Sequence, residues 1–300
     1  MSENKTRCGY AAIMGLPNAG KSTLVNALVG QKISIVSRKV QTTRFRVMGI
    51  VHKDDAQIIF IDTPGVFIPK KTLERAMVAN ALDSMGEADV VLHLVDTARK
   101  DTLEVNRGLI AQLPSNKPVH LLLNKVDTAR RIDLMPIAAS FNEAFPYEKT
   151  FMISALNSSG VDDLVEDIAA RMPEGPWLFD EDQVSDMPMR MLAAELTREK
   201  IFDRLHEELP YEIFVETVQW ENFNNGDVKV NQIVYVQRDS QKGIVLGKGG
   251  AQIKMIGTAV REELSAMLER TVHLSIQVKV QENWSERAEN YSLMGLDRNA

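Results

Sequence analysis

The chain has 300 residues, 44% apolar and 25% charged, with 35 Lys and Arg against 41 Asp and Glu for a formal net charge of −6. That length exceeds the roughly 100 to 200 residues of one domain and supplies two cores, while the acidic balance excludes a uniformly basic nucleic-acid coat and leaves RNA contact to a local patch. The lone Cys8 excludes an internal disulfide, and no apolar run, Val119 to Leu123 being among the longest, nears the roughly 18 to 20 residues that span a bilayer.

Met1 to Lys5 lead without an apolar signal core into the first apolar run, which with the single cysteine suits a reducing cytoplasm. That run, Tyr10 to Met14, reads as a buried strand. Gly15-Leu16-Pro17-Asn18-Ala19-Gly20-Lys21-Ser22 follows it and satisfies G-x-x-x-x-G-K-[ST]; Thr23 and the apolar-periodic Leu24 to Leu28 continue as a helix. Gly15 and Gly20 let the backbone wrap a polyphosphate, with successive N–H groups and the helix N-terminus aimed at the oxygens. Lys21 adds a point charge between β- and γ-phosphates, and the Ser22 hydroxyl is placed to ligate Mg²⁺.

The polar, basic stretch Ile35 to Arg44 lies where a GTPase keeps its first switch. A threonine there completes Mg²⁺ coordination only when a γ-phosphate is present. Thr43 is the assigned ligand, although position alone leaves Thr42 open. Phe45 to His52 and Gln57 to Ile61, joined by Lys53-Asp54-Asp55, read as a hairpin that makes one sheet edge antiparallel. Asp62-Thr63-Pro64-Gly65 ends the second of these strands. Asp62 is expected to hold the metal through water, and Gly65 to offer its N–H to the γ-phosphate. Val66 stands where Ras-like enzymes carry a water-orienting glutamine, so intrinsic hydrolysis should be slow. The missing stabilisation would come from backbone groups, a monovalent cation near Asn18, or a partner. Lys21, Thr43 and Gly65 are the catalytic candidates, and no side chain is assigned as a base.

Val90 to Val95 reads as a further strand, with His93 a sheet histidine and not a catalytic one. After Val119 to Leu123 comes Asn124-Lys125-Val126-Asp127. The Asp127 carboxylate accepts in bidentate fashion from guanine N1–H and the exocyclic amine, whereas adenine presents an acceptor at N1 and nothing at C2. Lys125 is expected to lay its methylenes across the base, and Asn124 to tie this loop to the phosphate loop. Ser154-Ala155-Leu156, after the strand Phe151 to Ile153, closes the base site, with the Ala155 N–H directed at guanine O6. Asp162 and Asp163 belong to a helix start. Alternating strands and helices make the first part an α/β unit with a mostly parallel sheet.

Pro173, Gly175, Pro176 and Pro188 bracket the acidic Asp180-Glu181-Asp182, which reads as a linker over 176–187 between a GTPase domain, 1–175, and a second domain, 188–283. The second domain is α+β: a helix with Leu192, Leu196, Leu205 and Leu209, strands near Tyr211 to Trp220, Asn231 to Gln237 and Thr271 to Val280, and a glycine-rich turn before a helix. The turn, Gly247-Lys248-Gly249-Gly250, with Ile253 and Lys254 behind it, fits a G-x-x-G loop that clamps about four nucleotides. Arg238, Lys242 and Arg261 extend the positive charge. Residues 284–300, with Trp284, form either a docked helix or a mobile tail.

These motifs together resemble the Era family of bacterial GTPases: Gly15 to Ser22 with its Pro-Asn, Gln41-Thr42-Thr43-Arg44, Asp62 to Gly65, Asn124 to Asp127 and Ser154-Ala155. The likeness runs over nearly the whole chain. It implies a P-loop GTPase domain of the TrmE-Era type followed by a type II KH domain that binds the 3′ end of small-subunit ribosomal RNA in ribosome assembly. It also implies a potassium role for Asn18, a hydrophobic residue at Val66 and peripheral inner-membrane association. Ala19 departs from the family's usual valine, at a position whose role is carried by the backbone. A monomer is the default expectation.

Overall fold

A computed structural model describes residues 6–37, 39, 42–205 and 209–298; Met1 to Lys5, and Arg38, Val40 and Gln41 of the expected switch, lie outside the described residues. The chain divides into two units, one running to Asp186 and taking in the residues from Met294, the other comprising Met187–Leu293.

In the first unit the elements are β1 (Arg7–Gly15), α1 (Lys21–Val29), β2 (Val47–Lys53), β3 (Ala56–Asp62), α2 (Thr72–Glu87), β4 (Val90–Asp96), α3 (Thr102–Ile110), β5 (Val119–Asn124), α4 (Arg131–Ala144), β6 (Lys149–Met152) and α5 (Val161–Arg171). One six-stranded sheet takes the order β2-β3-β1-β4-β5-β6. All neighbours are parallel except β2 and β3, joined at the Asp54-Asp55 turn with Lys53 opposite Ala56. Every residue of β3 is buried, as are all of β5, because helices cover both faces of a parallel sheet and remove the need for polar alternation. Hairpin pairing begins at Val47, two residues later than the apolar run that starts at Phe45. Asp162 and Asp163 sit in the first turn of α5, whose N-cap is Gly160 in left-handed conformation with no side-chain cap.

His93 is fully buried in β4, with Nδ1 2.6 Å from Tyr147 Oη and Nε2 3.1 Å from Asn106 Oδ1. Burial pulls its pKa down to about 4, against the Asn106 bond that raises it. The folded protein therefore binds fewer protons than the unfolded chain between pH 6.5 and about 4, and stability falls as pH drops through that window. Chemical denaturation should show a loss of roughly 2 kcal/mol from this group between about pH 6.5 and 5, at about 1.4 kcal/mol per unit. His93→Phe, which cannot titrate, should flatten that part of the profile, and an unchanged slope would remove His93 as its cause.

The segment expected as a linker is built onto the first unit. The Gln57 side chain accepts from Leu178 N at 2.8 Å and Phe179 N at 3.1 Å and donates to the Phe179 carbonyl at 2.8 Å. Trp177 Nε1 donates to the Asp55 carbonyl at 3.2 Å. Farther on, Ile50 N donates to the Val184 carbonyl at 2.9 Å, Ser185 Oγ to the Met48 carbonyl at 2.8 Å, and Met48 N to Asp186 Oδ1 at 3.0 Å. The segment thus lies along the outer side of β2, where the unpaired backbone groups of an edge strand find partners.

In the second unit α6 (Met189–Arg204), β7 (Phe214–Asn222), β8 (Val228–Val236), α7 (Asp239–Leu246), α8 (Ala251–Leu268) and β9 (Val272–Val280) are followed by a short α9 (Ala288–Leu293). β7 runs antiparallel to β8, and β8 parallel to β9. The order α-β-β-α-α-β is the α+β arrangement expected of a type II KH domain. Helix α6 stops before Leu205, which is extended, and Leu209 opens a separate 3₁₀ turn over Leu209–Glu212. The apolar spacing extended the helix too far; both leucines are buried without it. Trp284 is 1% exposed, stacks on Phe214 with centroids 5.6 Å apart, and donates Nε1–H to the Glu212 carbonyl at 2.8 Å. Residues 284–293 are therefore a docked element of this unit and not a free tail. None of the described helices is long and apolar enough to cross a membrane.

Candidate nucleotide site and RNA loop

The loops after β1, β3, β5 and β6 all leave the sheet at the same, C-terminal edge, where ligands of open α/β sheets sit. Gly15 closes β1, Leu16 to Ala19 turn, with Asn18 at φ 65, and Gly20, at φ 101, caps α1. Lys21 is 5% exposed, and its ammonium donates to the Gly15 and Leu16 carbonyls, each at 3.1 Å. Burial pushes its pKa down to about 8, with the Asp62 carboxylate opposing the shift. Thr23, in the next helical position, is half-buried.

Asp62, at the end of β3, is fully buried and its pKa is raised by that burial, opposed by Lys21 and by hydroxyl donors. Ser22 Oγ lies 2.9 Å from Thr43 Oγ1, and Thr43 Oγ1 lies 3.5 Å from Asp62 Oδ2. Thr42, the alternative, donates its hydroxyl to the Lys39 carbonyl at 2.8 Å, so the threonine brought to Ser22 is Thr43. Asp62 Oδ1 is buried with no hydrogen-bond partner. A buried carboxylate with one oxygen unpartnered and the other 3.5 Å from the Thr43 hydroxyl suits Mg²⁺, which takes oxygen ligands, keeps several waters and needs few protein groups. Among the described residues no group of three or more His, Cys, Asp or Glu forms an all-protein metal cage.

Thr63 anchors the following turn by donating to the Ile13 carbonyl at 2.8 Å, and Pro64 and Gly65 are buried behind it. A Cβ on Gly65 would lie 2.9 Å from Pro17 N, so this glycine lets the second loop close on the phosphate loop. The amide of Val66 donates to the Gly15 carbonyl at 3.2 Å, while its side chain is buried in a core with Met14, Val91 and Val95. A side chain at that position is packed into this core.

Asn124 is the hub of the site. It is 2% exposed, donates Nδ2–H to the Ala19 carbonyl at 2.8 Å and accepts Ala155 N–H on Oδ1 at 2.9 Å, joining the phosphate loop to both base loops. A Cβ on Gly20 would come within 2.4 Å of that Nδ2. The Ala155 amide, which the sequence directs at guanine O6, donates here to Asn124 Oδ1. Lys125, at φ 66, holds its ammonium 2.8 Å from the Asn18 carbonyl and 2.7 Å from Asp96 Oδ2. Val126 N bonds the Ile153 carbonyl at 3.3 Å. The Asp127 carboxylate is exposed and oriented by Ser154 Oγ, which donates to Oδ1 at 2.6 Å. Leu156 is 80% exposed at the rim.

Sequence reasoning missed Asp96 and Ser34. Asp96 ends β4 as Asp62 ends β3 and Asn124 ends β5, so strand-end position was a usable signal. Ser34, which donates to Asp62 Oδ2 at 2.8 Å, stands in no motif.

In the second unit Gly247 (φ 70), Gly249 (φ 57) and Gly250 (φ 79) connect α7 to α8. A Cβ on Gly247 would lie 2.6 Å from Gln252 Cβ, whereas nothing lies within 4 Å of one on Gly249 or Gly250. Gly247 is required by packing, and the other two leave open space at the N-terminus of an 18-residue helix without acidic residues in its first turn. Such an end attracts phosphate. Lys248 and Lys254 are exposed around it and Ile253 is half-buried.

Comparison with known proteins places both halves. A family model described as a 50S ribosome-binding GTPase matches residues 10–125, and one for the KH domain matches 208–285. The chain is 53% identical over 292 residues to GTPase Era of Sinorhizobium medicae, covering 97% of this chain and 94% of that protein. It is 52% identical over 297 residues to GTPase Era of Brucella suis biovar 1, covering 98% and 94%. Its fold is similar to a crystal structure of Era in complex with MgGDPNP and nucleotides 1506–1542 of 16S ribosomal RNA, with TM-score 0.89 and 39% identity over 97% of this chain and 99% of the other. A variant of Aquifex aeolicus Era bound to GDP·AlF4⁻ matches with TM-score 0.88, 39% identity and the same coverage.

Proposed function

The chain belongs to the Era family of GTPases, and on that premise we propose that it is a GTP-hydrolysing switch whose KH unit binds the 3′ end of small-subunit ribosomal RNA during assembly of that subunit. The observation that supports the nucleotide half is the convergence on Asn124 of the loop before Lys21 and the loop after β6, with Lys125 and Asp127 following it in the chain.

Asp127 accepts from the guanine edge, Lys125 lies along the base, and the phosphate-loop amides with Lys21 receive the β- and γ-oxygens. Lys21 then trades the Gly15 and Leu16 carbonyls for phosphate oxygens, and the negative charge keeps it protonated despite burial. Ser22, Thr43 and Asp62 would hold Mg²⁺, whose chemistry is to neutralise charge on the phosphate oxygens. The Gly65 N–H and the Thr43 backbone respond to the γ-phosphate, and both relax when it leaves. With Val66 buried, no side chain there orients water, and slow intrinsic turnover follows.

In the KH unit, the open approach at Gly249 and Gly250 receives an RNA phosphate at the α8 N-terminus, with Lys248 and Lys254 adding charge. The test is RNA affinity of the full chain, at fixed salt, loaded with GDP or with a non-hydrolysable GTP analogue, using 3′-end oligonucleotides of small-subunit ribosomal RNA and a scrambled control. Preference for the 3′-end sequence that changes severalfold with the nucleotide is the expected result. Equal binding in both nucleotide states refutes the switch, and equal binding of the scrambled RNA refutes the target.

A further inference from the structure

The two carboxylate oxygens of Asp62 are treated differently. Oδ2 accepts from Ser34 Oγ at 2.8 Å, with Thr43 Oγ1 more distant at 3.5 Å, while Oδ1 is buried and bare. Ser34 is 3% exposed and lies in no helix or strand. One side chain on α1 places it: Asn26 Oδ1 accepts Ile33 N and Ser34 N, each at 2.9 Å, and Asn26 Nδ2 donates to the Ser34 carbonyl at 2.7 Å. Three hydrogen bonds from a single amide thus clamp the backbone on both sides of the serine hydroxyl.

We propose that Ser34, held by Asn26, is a positioning residue for the metal site: it pins Asp62 by Oδ2 and so fixes the orientation in which this carboxylate meets a divalent cation and its hydration shell. The inference rests on the reading of Asp62 as the metal-holding carboxylate. The terminal torsion of an aspartate is broad, so position at the end of β3 does not by itself decide which oxygen faces the ion. A hydroxyl has one proton to give, and Ser34 gives it to Oδ2, which breaks the symmetry of the carboxylate. Thr43 belongs to the segment that answers to the γ-phosphate. Ser34 is fixed to α1, next to the phosphate loop, so its hold on Asp62 outlasts the switch. The contribution should therefore be visible with GDP bound, after Thr43 has left. Outer-shell partners of this kind typically tune metal affinity by about 10- to 100-fold.

The experiment follows release of a fluorescent GDP analogue from the full chain as free Mg²⁺ is titrated, for the wild type, Ser34→Ala and Ser34→Thr, with thermal unfolding of the nucleotide-free protein in chelator alongside. In the wild type Mg²⁺ slows release, and Ser34→Ala raises the half-saturating Mg²⁺ by about tenfold while release in chelator is unchanged. Ser34→Thr, which keeps the hydroxyl, stays within about twofold of wild type. If Ser34→Ala does not fold, Ser34→Cys, with its weak donor and similar volume, is read in its place. An unshifted midpoint, or a fall in the metal-free unfolding temperature without a shift, overturns the positioning role. A threonine variant as impaired as the alanine one overturns it too. A wild type whose GDP release ignores Mg²⁺ overturns instead the metal reading of Asp62 on which the inference stands.

Discussion

Asp127→Asn lowers affinity for GTP by about a hundredfold and confers binding of xanthosine triphosphate. In the proposed site the wild-type carboxylate accepts from two donors of guanine, N1–H and the exocyclic amine. A carboxamide keeps one acceptor and turns its amino group toward the exocyclic amine, leaving two donors facing each other. Xanthine carries a carbonyl where guanine carries that amine, so it suits the asparagine. The substitution is conservative for the scaffold, because an asparagine oxygen can still accept from Ser154 Oγ, which lies 2.6 Å from Asp127 Oδ1. Competition of each triphosphate against a fluorescent GDP analogue measures the exchange. Retained preference for GTP would mean that base selection lies elsewhere in the site.

Replacing Gly249 and Gly250 together by aspartate abolishes RNA binding, by about two orders of magnitude or more, and leaves GTP hydrolysis in the absence of RNA at its wild-type rate. A side chain at either position meets no atom within 4 Å, so the fold has room for it. Both residues have positive φ, which aspartate tolerates better than most residues. What changes is that two carboxylates occupy the place of approach of a phosphate. Gly247→Ala makes the contrasting control. Its Cβ would stand 2.6 Å from Gln252 Cβ, so the expected loss is of thermal stability together with RNA binding. Fluorescence anisotropy with labelled RNA, beside phosphate release and thermal melts, separates the two cases, and undiminished RNA binding by the double aspartate variant would remove this loop from the interface.

The phosphate loop, Asp62 to Gly65 and Asn124 to Asp127 were legible in the sequence because the chemistry proposed for each requires particular residue types at fixed spacing just after a buried strand. Legibility ended where partners are far apart along the chain. Nothing local to Ser34 announces Asp62, 28 residues away, and nothing beside Asp96 announces Lys125, 29 residues away. The choice between Thr42 and Thr43 likewise required seeing which hydroxyl turns toward Ser22. In the fold, buried strands were readable from continuous apolar runs, whereas the end of α6 was not. Leu205 and Leu209 continue the helical spacing, yet Leu205 is extended and Leu209 opens a separate 3₁₀ turn, both buried by tertiary packing. The choice between a docked element and a tail for Trp284 was likewise out of reach of the sequence, and tertiary packing makes it part of the second unit's core.

The course of residues 177–186 along β2 bears on how the protein can be divided. A cut at residue 175, where prolines and acidic residues suggest a boundary, would strip the cover from a seven-residue edge strand and leave the Gln57 amide, buried in the intact chain, without the backbone groups it now binds. Bare strand edges are templates for pairing with other molecules, so such a fragment would aggregate or form edge-to-edge dimers. A fragment carried through Asp186 takes its own cover with it. In the intact protein the stretch between the two units serves as a built-in guard against self-association as well as a connection.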